Sequence, residues 1–376
     1  MPRVLHAVTS GGIDGALRSV VALAREQREL GWDPVVLTAR HGFAAEACAR
    51  AGVPVLVEPA FLPAESKDAT RRQRIEECAD ACLRVVAAAR PDVLHTHLPS
   101  AGLRIGHLLA RRLRLPLVQT HHSIRLHPAD REVMTGTGLQ VIVVAEAARA
   151  LLTGHGVPAE RVACIPNGVP DPPPIPYRLP RTGRHLVFVG RLAPEKGLDT
   201  ALEAMALLAG RPGSDRPTLH VFGDGPEARR YRSRVRGYGP AGAVAFHGVV
   251  PGIVHPGLGA AALLAPSRRE ACPLTILEAM ASRIPVVAGA VGEVPTMVPH
   301  RVGGLLVTPD DPEQLADAVA QLMEEPDVAA AYARNARHRY ETTYTMPPMA
   351  RRTVEVYRRM LERRPTTTPR RTGECR

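Results

Sequence analysis

The sequence predicts an α/β protein made of two doubly wound parallel-sheet domains, and three observations carry that reading. Short runs rich in Val, Ile and Leu alternate with longer helical patterns along the chain, and near-continuous apolar strands separated by helices belong to parallel sheets covered on both faces. The alternation stops once, at 171–180, where DPPPIPYRLP places five prolines in ten residues. At 376 residues the chain also exceeds what one ordinary core organises.

The elements follow in order. MPRVLHAVTS has one arginine and a short apolar run with no cleavage site, so it reads as a first strand rather than a leader. PVVLT, VPVLV, DVLH, LPLVQT and VIVVA are further strands, with helical patterns over 16–30, 71–89 and 103–113. After the proline stretch, HLVFVG, TLHVFG, VAFHG, AALLAP, IPVVAG and GLLVTP restart the alternation. Helices are expected over 312–324 and 328–340, and a last basic helix over 346–363.

The resulting division is an N-terminal domain at 1–170, a proline-rich linker at 171–181 and a C-terminal domain at 182–345. The helix at 346–364 is expected to pack back on the first domain, ahead of a disordered polar tail at 365–376. Ligands of such sheets bind at the carboxyl ends of the strands, which places a site in the cleft between the domains.

Composition excludes several classes. A hydrophobic content of 45% and a charged content of 23% describe a globular protein, and no segment reaches the roughly 18 apolar residues of a membrane span. Cys48, Cys78, Cys82, Cys164, Cys272 and Cys375 show no C-x-x-C spacing that would hold zinc and read as reduced thiols of a cytoplasmic protein.

The net charge of +11 invites a nucleic-acid reading. The arginines are spread over the whole length, however, and aromatics make up only 3%, so stacking platforms are scarce and no nucleic-acid partner is expected. Clusters at Arg71, Arg72 and Arg74 and at Arg111, Arg112 and Arg114 are compatible with peripheral contact to an anionic membrane. A solvated basic face is the commoner cause of that pattern.

The chemistry gathers in the second domain. Of 48 Lys+Arg residues only Lys67 and Lys196 are lysines. Lys196 and Arg191 follow the strand HLVFVG, and Pro194-Glu195-Lys196-Gly197 is expected to open a helix running to residue 209. Cations beside a helix N-terminus suit a phosphate or pyrophosphate. Lysine is a compact point charge that arginine does not replace freely, so its use here hints at constraint. Two solvated charges near a helix start are the rival explanation.

Downstream, SRREACPLTILEAMASRIPVVAG sets Glu270 in a loop and Glu278 inside a helix whose first turn holds Pro273. Ile276, Leu277 and Met280 form its apolar face, with Glu278 expected on the opposite side. Carboxylates repel pyrophosphate but accept hydrogen bonds from paired hydroxyls, as on a ribose or a sugar. The first-turn amides of Leu274 and Thr275 are suited to a phosphate oxygen.

In this order GRLAPEKGLDTALEAM, VFGDGP, FHG, SRREACPLTILEAMASRIPVVA and GGLLVTPDDPEQLADAV resemble retaining glycosyltransferases of family four, which have the GT-B fold. GGIDGALRSVVALAREQRELGWDPVVLT, DVLHTHLP, QTHHS and VACIPNGVP extend the resemblance over almost the whole chain.

The resemblance implies a metal-independent, hexosyltransferase-type enzyme with no cofactor, moving a sugar from a nucleoside-diphosphate donor to an acceptor hydroxyl with retention of anomeric configuration. It assigns Arg191 and Lys196 to the donor diphosphate, Glu278 to the ribose and Glu270 to the transferred sugar. Gly11 and Gly12 match the glycine loop after the first strand, and Asp224 belongs to a turn on the nucleotide side of the cleft. His122 matches a histidine near the transferred sugar, with His121 as its alternative by one step of register. The acceptor is a small natural product, a glycan precursor or a lipid.

Some positions depart from the family pattern. Arg283 stands where glycine is usual in A-x-G-x-P, Pro170 replaces the aspartate of NGVD, and EACP replaces EGFG. Glu293 and Thr296 replace the glycine and glutamate of the VGGIPE loop. These changes imply altered donor preference. The altered loop at Glu293 and Thr296 also motivates one alternative, a catalytically silent sugar-nucleotide-binding protein; a sugar-nucleotide epimerase or hydrolase of the same fold is a second.

Overall fold

The computed structural model describes residues 1–8, 15–61, 70–173, 175–182, 184–211, 216–235 and 244–363. Gly11, Gly12, Lys67 and the tail from 364 onward lie outside the described residues, as does the side chain of Arg71.

The first sheet holds β1 (Arg3–Ala7), β2 (Asp33–Thr38), β3 (Val55–Val57), β4 (Val93–Thr96), β5 (Leu117–His121), β6 (Gln140–Val143) and β7 (Val162–Cys164), all parallel, in the order β3-β2-β1-β4-β5-β6-β7. The second holds β8 (His185–Val189), β9 (Thr218–Phe222), β10 (Val244–Gly248), β11 (Ala262–Ala265), β12 (Val286–Gly289) and β13 (Leu305–Val307), again parallel, in the order β10-β9-β8-β11-β12-β13. Each sheet is wound in both directions from a central pair. In the first, Leu5 pairs in register with Leu94 across β1 and β4. In the second, Leu263 pairs with Val187 across β11 and β8. Crevices open at the carboxyl ends of such pairs, which places the candidate site at the carboxyl ends of β1, β4, β8 and β11.

The chain passes between the domains twice, and the two passages are knit together. Val169 N donates to Tyr344 O at 3.0 Å, and Tyr340 Oη donates to Val169 O at 3.0 Å. A Cβ on Gly168 would meet the Thr345 carbonyl oxygen at 2.6 Å, so the strands lie backbone to backbone. The return passage is a π-turn over Tyr340–Tyr344, followed by the helix Met346–Glu362. That helix packs Val354, Val356 and Tyr357 against Val4, Leu23 and Trp32 of the first domain.

The proline stretch is not a free tether. Leu179 is buried and its N–H donates to Leu258 O at 2.9 Å, while the Tyr177 ring stands edge-on to Phe222. The linker is therefore docked on the second domain.

Three local expectations are corrected. The segment after β8 forms a 3-10 turn over Pro194–Lys196 that ends at Gly197, and the regular helix begins only at Leu198 (Leu198–Ala209). Gly197 has φ +70, and a Cβ there would meet Pro266 O at 2.0 Å, so both the backbone twist and the contact with the loop after β11 require glycine. The helix Leu274–Ala281 has no polar side: Ile276 to Ala281 are all buried, Glu278 included, because the helix is covered by the other domain as well as by its own sheet. Pro273 is its cap residue rather than part of its first turn.

The departure at Arg283 has a backbone cost. Its φ is +55, the left-handed region that an L side chain occupies at roughly 1–2 kcal/mol and that glycine occupies freely at a helix C-terminus. Arg283→Gly is expected to stabilise the protein by about 1 kcal/mol in urea unfolding. A loss of stability would show that the arginine side chain makes compensating contacts.

Candidate active site between the domains

Lys196 ends the 3-10 turn, and its Nζ donates to Oε1 of Glu270 at 2.6 Å. The same oxygen accepts from Ser267 Oγ at 2.8 Å. Side-chain exposures of 27% for Lys196 and 12% for Glu270 make this a half-buried ion pair, in which screening by water is reduced. Arg191 occupies the same loop but is 64% exposed and pairs with Glu195. The two cations expected to act together are therefore held by different carboxylates.

Glu278 is only 6% exposed and accepts from Arg18 of the first helix (Gly15–Glu29), which belongs to the other domain. Burial pushes its carboxyl up from the ordinary value, with Arg18 opposing the shift. Ahead of it, Leu274 and Thr275 are half-buried, Pro273 supplies no side-chain cap, and first-turn amides have no intrahelical acceptor. The helix start thus presents donors without an acceptor among the described residues, beside Glu270 in sequence.

The loops are held to one another. The Arg268 fork donates to Asp199 at 3.0 and 2.9 Å and to Asp310 at 2.5 Å, while its N–H reaches Glu195 O at 2.9 Å. It ties the Lys196 turn to the Glu270 loop. Burial opposes the charge on Asp199, yet the Arg268 hydrogen bonds hold its carboxyl below the ordinary value. A Cβ on Gly292, at φ +54, would meet Glu270 O at 1.8 Å, so the loop after β12 closes on the backbone of Glu270 itself.

Asp224 is exposed. Its Oδ1 accepts from Gly225 N at 2.8 Å and its O from Leu192 N at 2.9 Å. It shapes the turn against the Arg191 loop, and the turn's own geometry accounts for it.

Glu293 shows what sequence reasoning missed. It is buried, its Oε2 accepts from Glu146 N at 3.1 Å, and Thr296 also hydrogen-bonds it. The helix Glu146–Gly154 has no side-chain cap of its own, so a carboxylate from the opposite domain sits at its N-terminus. The two departures from the VGGIPE pattern thus touch each other, and Glu293 crosses the domain interface. Asn167 Nδ2 adds a second link, donating to Cys272 O at 2.8 Å. Burial pushes the Cys272 thiol up to about 12, which leaves it no nucleophile.

His122 follows β5. Its Nε2 lies 3.4 Å from Nδ1 of His97, and burial brings it down to about 4, so it is neutral. The neighbouring His121 is buried with Nε2 unpartnered among the described residues. His6, His95 and His97 bring ring nitrogens within 4.8 Å of one another, a spacing open to a metal ion. Their nitrogens are all hydrogen-bonded already: His6 to His97 and Gln27, His95 to Tyr357 and Thr120, His97 to His6 and His122. Of the basic clusters, Arg112 pairs with Glu76 at 2.7 Å and Asp80 at 2.8 Å. No described helix is long and apolar enough to cross a membrane.

Residues 176–339 match the family described as Glycosyl transferases group 1, and residues 13–171 match Glycosyltransferase Family 4. A D-inositol 3-phosphate glycosyltransferase of Thermobispora bispora is 32% identical over 315 residues, covering 74% of this chain and 73% of that protein. The chain belongs to the group 1 glycosyltransferases. An exopolysaccharide phosphotransferase of Streptomyces coelicolor is 31% identical over 297 residues, 75% of this chain, but the chain spans only 30% of its length.

Among solved structures, a glycosyltransferase from Rickettsia africae superposes with TM-score 0.80 at 18% identity, covering 96% of this chain and 99% of that one. The Anabaena protein HepE, solved with UDP and glucose, gives 0.78 at 20% identity, covering 95% and 99%. Both share the GT-B architecture of two Rossmann-like domains.

The ionisation of Glu278 has a measurable consequence for this glycosyltransferase. Its folded-state carboxyl is raised above the ordinary 4.5, so the stability it lends is full below that value and is lost as pH rises through the folded value. Glu278→Gln is expected to raise the melting temperature at pH 8, with the gain shrinking toward pH 4 in differential scanning calorimetry. A variant less stable than wild type at pH 8 would show that the Arg18 pair outweighs the burial.

Proposed function

We propose that the protein is a retaining, metal-independent glycosyltransferase that moves a sugar from a nucleoside diphosphate to an acceptor hydroxyl. The observation that carries this reading is the Lys196–Glu270 ion pair at the carboxyl edge of β8 and β11, next to the capless start of Leu274–Ala281.

Lys196, Arg191 and the amides of Leu274 and Thr275 hold the donor diphosphate and neutralise the charge that develops as its bond to the sugar anomeric carbon breaks. The acceptor oxygen forms the new bond at that carbon and gives up its proton to the departing diphosphate. Glu278 accepts hydrogen bonds from the ribose hydroxyls, which take the place of Arg18. Glu270 does the same for the transferred sugar, with His122 on the facing domain; the donor role that the family resemblance gives Gly11 and Gly12 falls on residues outside the described ones.

Binding of UDP and glucose by HepE supports a nucleotide-sugar donor. The acceptor, a hydroxyl of a small natural product, a glycan precursor or a lipid, is assigned to the N-terminal domain, and D-inositol 3-phosphate in the name of one relative is in keeping with a polar polyol. The contact of Glu293 with the opposite domain gives that departure a structural use and so weighs against a silent binder.

The test is turnover of UDP-, GDP-, dTDP- and ADP-hexoses with and without a panel of hydroxyl acceptors, with the product anomer read by NMR. One donor is expected to be consumed only when acceptor is present, with its configuration retained. Lys196→Ala should cost on the order of a hundredfold in kcat/KM, and Lys196→Arg should not restore it. Acceptor-independent change of the donor would indicate an epimerase or hydrolase, and binding without turnover a silent binder.

A further inference from the structure

We propose that Gln27 is a positioning residue for His122, fixing which nitrogen of His122 carries the proton through a buried relay of His6 and His97. The inference rests on the reading above only in taking His122 as the histidine that faces the sugar; the relay itself stands on geometry.

Gln27 lies on the first helix, fully buried, and its amide has one donating and one accepting end. Nε2 donates to the Tyr357 hydroxyl at 3.1 Å, which leaves Oε1 facing Nε2 of His6 at 2.8 Å. A carbonyl oxygen only accepts, so the His6 proton sits on Nε2 and its Nδ1 is a bare acceptor. Nε2 of His97, 3.0 Å away, must then donate to it. That leaves Nδ1 of His97 bare, facing Nε2 of His122 at 3.4 Å. His122 is thereby held with its proton on Nε2 and a lone pair on Nδ1, an acceptor suited to a sugar hydroxyl.

The other branch is consistent with this polarity. The Tyr357 oxygen, having accepted from Gln27, donates its own proton to Nδ1 of His95 at 2.5 Å, and Nε2 of His95 donates to Thr120 Oγ1 at 2.7 Å. Each ring is neutral: burial lowers His6 to about 4 and drives His95 and His97 well below the ordinary value. Turning one ring alone would set N–H against N–H, or lone pair against lone pair, in a site shielded from water. Only a half-turn of the Gln27 amide reverses every bond at once, so the tautomers are set together and from Gln27.

The experiment uses the full chain labelled with 15N-histidine and long-range 1H–15N correlation spectra near pH 7.5, the His122 signals being identified by their loss in His122→Phe. In wild type, His122 is expected to carry its proton on Nε2. Gln27→Glu, which keeps the acceptor, should preserve that pattern, whereas Gln27→Met should turn His122 into a mixture of tautomers while the signals of His185, His220 and His247 on the second sheet stay in place. A wild-type His122 protonated on Nδ1, or a folded Gln27→Met with unchanged His122 signals, would overturn the relay. The wild-type spectrum decides the polarity even where a variant fails to fold.

Turnover separates this inference from the functional reading. Gln27→Met should lower kcat on the order of tenfold or more, as a wrong histidine tautomer does elsewhere, with the KM for the donor unchanged. An altered tautomer with unaltered kcat would confirm the relay and remove His122 from the reaction.

Discussion

A carboxylate enclosed between two domains must find a positive partner or give up its charge, and the cleft of this protein encloses two. Glu270 is held by Lys196 of its own domain, and Glu278 by Arg18 of the facing one. On the function proposed above, both cations stand where donor groups bind, and they hold the carboxylates oriented until hydroxyls replace them. The same economy explains why the loops around them are so tightly tied. Arg268 fixes the Lys196 turn to the Glu270 loop, and Gly197 and Gly292 let backbones approach where any side chain would collide.

The domain interface makes a second use of charge. Glu293 stands at the uncapped N-terminus of Glu146–Gly154, and Asn167 reaches the Cys272 carbonyl. These contacts cross the cleft near the knit passages at Val169 and Tyr344. Glu293, one of the departures that the sequence reading connects with altered donor preference, thus also links the two halves. Arg283 has no such return visible in the structure; it keeps a left-handed backbone that glycine would adopt freely.

Most strands were legible because a parallel strand covered on both faces is a short apolar run, and such runs are hard to mistake in this chain. β7 (Val162–Cys164) escaped because VAC lacks the run of Val and Leu that marks the equally short edge strand β3. The helix expected from Pro194 failed at Gly197, where a tertiary contact, absent from any local pattern, sets the break. Lys196, Glu270 and Glu278 were legible as a constellation through family motifs, but their partners were not: Arg18 and Glu278 lie 260 residues apart, and long-range ion pairs leave no spacing to read. The histidine relay was half visible. His95 and His97 lie on one face of a strand end and His6 pairs with His95 across β1 and β4, whereas Gln27 and Tyr357 join them only through the packing of the first helix and the return helix.

The most direct test of the exchange of cations for donor is a crystal structure of the protein with the nucleoside diphosphate that it binds. The account predicts the diphosphate against Lys196 and the first turn of Leu274–Ala281, the ribose on Glu278, and Arg18 released from that carboxylate. A nucleotide bound elsewhere, or bound with the Arg18–Glu278 pair intact, would contradict it.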